Sequence, residues 1–154
     1  MINLEKNMIF FFAALLAGTL DAIAAILLGL SRGNKHPGRI FQFIASGVFG
    51  PSAMSGGNAM LGVGVLFHYL IAFSWVGVFF WSYPRIALLR SYPPLIAALF
   101  GLFIWLIMNL VVIPLSRTQP RPTSVSFMVI NMVILMIAIG LPCVYLARYN
   151  FRIS

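Results

Sequence analysis

Four stretches of this chain, about 8–30, 60–81, 95–115 and 127–147, are apolar nearly throughout. Each matches the roughly 20 residues that a helix needs to cross the hydrocarbon core of a bilayer. No water reaches that core, so spanning backbone must satisfy its own N–H and C=O groups as a helix or a closed barrel. Barrel strands are segments of about ten residues that alternate in polarity. The runs here are longer and do not alternate, so an all-α fold is expected. Composition agrees: 62% of residues are hydrophobic and 8% charged, with a mean hydropathy of +1.03. Soluble domains carry about 25% charged residues. Too little polar surface is available to cover a soluble protein, and lipid is the expected solvent.

The predicted architecture is therefore an integral membrane protein of one domain, 1–154. Four transmembrane helices place both termini on the same side, and a short interfacial or re-entrant segment at about 39–58 lies between the first two. The first apolar run, Met8–Leu30, exceeds the 7–15 or so residues of a signal-peptide core and reads as a retained helix. Ala14, Gly18, Ala22, Ala25 and Gly29 form a small-residue stripe on it, which suits close helix packing. Pro37 suits the first turn of a short helix, Gln42 and Ser46 give Arg39–Phe49 a polar side, and Gly50–Pro51 stops it. Ser52–Asn58 is expected as a structural loop, with a re-entrant or pore-lining segment as the alternative; it lacks the phosphate-loop pattern. Trp81 and Tyr83 form an aromatic belt. Pro114 is expected to end or kink the third spanning helix, and Gly140–Pro142 to kink the fourth.

The formal charge of +8 comes from ten Lys and Arg against two acids. The basic residues are scattered over every link and both ends, and no run resembles a nucleic-acid arm. They imply interfacial anchoring, with membrane lipids, including anionic head groups, as partners rather than nucleic acid. Lys6, Arg85, Arg90, Arg148 and Arg152 fall on the side of the termini, side X. Arg32, Lys35, Arg39, Arg117 and Arg121 fall on the opposite side, side Y. This tie leaves the positive-inside rule without a bias to read, so either other features orient the chain or it inserts both ways. A reporter on the C-terminus that is active on one side only separates the two. Cys143 is the one cysteine; it permits no intramolecular disulfide or Cys-x-x-Cys site and reads as a small buried hydrophobe.

Asp21 is the residue that least belongs. An acid at bilayer depth costs roughly 2.5–3.5 kcal/mol on insertion scales, so it needs a partner or a proton. The other acid, Glu5, lies outside the apolar run. Counting about 1.5 Å per residue from side X puts Asp21, His68 and Asn109 at one depth on three helices, within about one turn. Asn131 falls nearer side Y, and Thr19, Ser74 and Asn58 are secondary polar candidates. An Asp21–His68 pair would share or exchange a proton near neutral pH, with Asn109 orienting the pair or binding a polar ligand. The alternative is that these groups are packing glue between helices. No catalytic residue, metal site or cofactor is assigned. One mid-membrane histidine supplies at most one axial ligand, and no serine is visibly placed beside the histidine and acid.

Phe67–His68–Tyr69, followed by Gly101–Leu102–Phe103–Ile104–Trp105, resembles the small uncharacterised bacterial inner-membrane proteins of the YagU type. Gln42–Gly47 and Met108–Pro114 resemble signatures of a related group of hypothetical proteins. The resemblance implies a multi-pass protein of the bacterial inner membrane and transfers no catalytic residue. Three functional readings follow: a homo-oligomeric, proton-linked channel or transporter that uses the polar layer; a structural or accessory membrane protein whose polar layer only fixes packing; and, ranked last, a lipid-modifying or haem-binding enzyme.

Overall fold

A computed structural model describes residues 2–119 and 124–152; Pro120, Arg121 and Pro122 of the third link lie outside the described residues. The described residues contain helices and no strand. In order these are α1 (Ile2–Ser31), α2 (Arg39–Phe49), α3 (Gly57–Ser82), α4 (Pro93–Leu115) and α5 (Val125–Asn150). All but α2 are long and apolar enough to cross a membrane. Each spanning helix begins two or more residues before its apolar run. α4 starts on Pro93, where a missing N–H costs nothing. α5 is N-capped by Ser124, whose Oγ accepts from the Phe127 N–H.

The glycine- and serine-rich stretch between α2 and α3 is more regular than the expected loop. Pro51–Ser55 forms a 3₁₀ turn, and Asn58 already lies in the first turn of α3. The two prolines inside spanning helices act in a common way. Each is preceded by a widened turn, Met108–Val112 before Pro114 and Met136–Gly140 before Pro142. The Ile113 N–H reaches back five residues to the Met108 carbonyl, and the Leu141 N–H to that of Met136. Proline offers no N–H and its ring crowds the carbonyl four residues earlier, so the helix gains a residue per turn there instead of breaking. α5 runs on to Asn150, whereas α4 ends one residue after its proline.

The spanning helices alternate in direction. Phe10 meets Phe73 and Phe80, while Gly18 meets Tyr69 and Ala72, so α1 and α3 are antiparallel. Phe79 packs on Phe100 and Trp75 on Phe103, bringing α3 to α4. α4 and α5 approach most closely. A Cβ on Gly101 would collide with the backbone of Met136, and one on Gly140 with the backbone of Ala97. The glycines are reciprocal, and the widened turn of α5 is the surface that α4 lies on. The dry core lies toward side X. It is built from Ala13, Ala14 and Ala17, from Val76, Phe79 and Phe80, and from Ile96, Ala97, Ile139, Cys143 and Val144. Cys143 is buried and free.

The outward faces are apolar. Phe12 is 57% exposed, Leu27 60%, Leu66 56% and Leu110 65%. An apolar surface this continuous is suited to lipid. α2 packs obliquely on the first turns of α3. Gly64 lies against the Phe41 carbonyl with no room for a side chain, and Gln42 Nε2 donates to the Gly57 carbonyl at 3.1 Å. The Arg117 N–H donates to the Gly47 carbonyl, which ties the end of α4 to α2. Gly101→Val or Gly140→Val should separate α4 from α5 and destabilise the fold by about 1–3 kcal/mol, the usual cost of overpacking. A thermal melt in detergent checks this, with the exposed Leu99→Val as the control that melts like the parent.

Candidate functional site

The polar groups of interest gather on the seam between α1 and α3, just beyond the side-X core. The small-residue stripe of α1 brings the two backbones together, with Gly18 against Tyr69 and Ala72. His68 is 8% exposed, and its Nε2 lies 2.8 Å from the Gly18 carbonyl. A carbonyl only accepts, so Nε2 carries the hydrogen and donates. Nδ1 is therefore the ring nitrogen left as an acceptor. The ring is enclosed by aromatic edges: Phe41 of α2 at 5.9 Å between centroids and Tyr69 at 5.5 Å.

Asp21 lies one helical turn from Gly18 toward side Y, about 4.5 Å along the axis. Asp21 is half-buried there. Among the described residues no hydrogen bond or salt bridge joins it to His68; the imidazole is held by backbone. Beside this pair, Thr19 Oγ1 and Tyr69 Oη bond across the seam at 2.9 Å on an exposed face.

Asn109 takes no part in the seam. Its Nδ2 donates to the Trp105 carbonyl of its own helix at 2.9 Å, within the widened turn of α4, and α4 packs on α5 rather than on α1. The depth count was blind to which way a helix faces. Ser74 is likewise turned onto its own helix, donating to the Leu70 carbonyl at 2.8 Å. Asn131 is half-buried in the first part of α5, and Asn58 is exposed at the start of α3. Of the seven candidates, the structure brings Asp21, Thr19 and His68 together. Three further partners were not anticipated. Tyr69 was legible as a hydroxyl-bearing neighbour of His68, whereas Phe41 and the Gly18 carbonyl carry no chemical signature in a sequence.

Among the described residues no three His, Cys, Asp or Glu side chains gather to hold a metal ion. What this arrangement offers chemically is one acid and one base in spanning helices, with aromatic rings against the base. Fold and site together define a multi-pass, all-α membrane protein. No family model matches the chain, and no curated protein or solved structure is similar to it.

Two variants probe the seam. Tyr69→Phe should cost about 0.6–1.7 kcal/mol, the range for interhelical hydrogen bonds in membranes, measured by thermal unfolding in detergent. Phe41→Ala should uncover His68, so that diethylpyrocarbonate labels it faster than in the parent while His36 labels at an unchanged rate, as read by peptide mass spectrometry.

Proposed function

We propose that the chain works as a proton-linked channel or transporter of the bacterial inner membrane, with Asp21 and His68 as the proton or ion site. The observation that carries this reading is an acid and a histidine on one helix seam, with Asp21 one turn from the Gly18 carbonyl that His68 holds. Asp21 is one of two acids in the chain, and His68 is held by its Nε2–H, which leaves Nδ1 as an acceptor. A proton arriving on Nδ1 makes an imidazolium that the Asp21 carboxylate stabilises; its departure leaves the acid to take the proton or a cation. Intramembrane acids are costly enough that a functional role is their default reading. Thr19 and Tyr69 put hydroxyls on an outward face beside the pair, which supports a homo-oligomer that brings this face against a second copy.

A structural or accessory role is the second reading. It is favoured by the hydrogen bonds of His68, Thr19 and Asn109, each directed to a protein partner. In that case the seam locks α1 to α3 and nothing passes along it.

Reconstitution in liposomes with an entrapped pH dye separates the two. Asp21→Asn and His68→Gln should keep a near-parental melting temperature and lose pH-dependent flux. Absence of flux in the parent, together with variants that lose only thermal stability, leaves the structural role standing.

A further inference from the structure

We propose that the side-X end of the bundle carries a binding site for a phosphate group, formed by Arg90, Arg148 and Arg152. These arginines come from three separate places: the 3₁₀ turn Ala87–Arg90 ahead of α4, the last turn of α5, and the residue pair that follows α5. They line one open cavity of about 300 Å³. Its wall is aromatic, with Tyr83 buried and stacked on Phe151 at 5.5 Å between centroids. The cavity is thus anchored to the core of the bundle.

Three cations line it, and among the described residues none has a protein counter-ion. No hydrogen bond or salt bridge occupies any of the three guanidinium groups among the described residues, and neither acid of the chain lines the cavity. Helix dipoles offset part of the charge. α3 and α5 both end nearby, and each C-terminus contributes about half a negative charge, which leaves roughly two positive charges. A phosphate ester carries one to two negative charges and presents the planar oxygen pairs that guanidinium binds bidentately. Basic pockets at the ends of spanning helices bind lipid phosphates in this way, and the exposed Trp81 and Tyr149 mark this end as interfacial. The basic cavity at the other end, around Arg32, Lys35 and Arg39, is less available. There Arg32 already donates to Ser124 Oγ and lies over the Phe127 ring.

Phosphate chemistry is shared by an anionic lipid head group and a free phosphate. The test titrates the purified full chain in detergent with short-chain phosphatidylglycerol, short-chain phosphatidylcholine and inorganic phosphate, and follows binding by native mass spectrometry and thermal shift. Phosphatidylglycerol should bind more tightly than phosphatidylcholine. Arg90→Gln, at an exposed position, should weaken binding about fivefold, and Arg148→Gln with Arg152→Gln about twenty-fivefold, at about 1 kcal/mol per cation. Lys35→Gln with Arg39→Gln should leave it unchanged. Preference for phosphatidylglycerol over inorganic phosphate assigns the site to a lipid, and equal affinity assigns it to a soluble phosphate; either supports phosphate recognition. Equal binding of both lipids, or unchanged affinity in Arg90→Gln and in the double variant, overturns the proposal.

Discussion

In hydrocarbon a backbone N–H or C=O without a partner costs several kcal/mol, and no water is present to help. That constraint accounts for most of what is seen here. It selects helices for the four apolar runs. It also explains why the helix turns before Pro114 and Pro142 widen, since an i→i−5 bond keeps neighbouring amides satisfied where proline removes the usual ladder. Polar side chains obey the same rule. Ser74 and Asn109 each return their hydrogen to a carbonyl four residues back, so they sit in spanning helices without needing a second helix.

His68 differs from them and gives the seam its character. Its hydrogen goes to a carbonyl on a different helix, and that is possible because Gly18 lets α3 come close enough. The same small-residue stripe that packs α1 on α3 therefore exposes a backbone acceptor to an imidazole, one turn from Asp21. Packing and chemistry are not separable at this point. The glycines of the α4–α5 contact illustrate the difference: Gly101 and Gly140 allow equal intimacy, but between purely apolar surfaces, and that interface serves the core.

Charge is arranged by a complementary logic. Ten basic residues and two acids cannot neutralise one another within the chain. Arg85 lies over the Trp81 ring and Arg32 over that of Phe127, so part of the positive charge rests on aromatic faces. Arg90, Arg148 and Arg152 have no such support.

Much of the fold was legible in the chain, because length and polarity of a run are local properties and lipid translates them directly into spanning helices. The number of spans, the short helix Arg39–Phe49, the special turns near Pro114 and Pro142, and the odd position of Asp21 all follow from residues read in order. The site was legible only in part. Depth can be counted along a helix, so Asp21 and His68 were expected at one level. The direction a side chain faces depends on which neighbours its helix chooses, and that is a long-range outcome. Tertiary structure turned Asn109 onto α4's own backbone, set Gly18 rather than Asp21 opposite the imidazole nitrogen, laid Phe41 over the ring, and gathered three distant arginines at one end. The physical reason is that solvent preference is written residue by residue, whereas contact between helices is decided by the shapes of both partners at once.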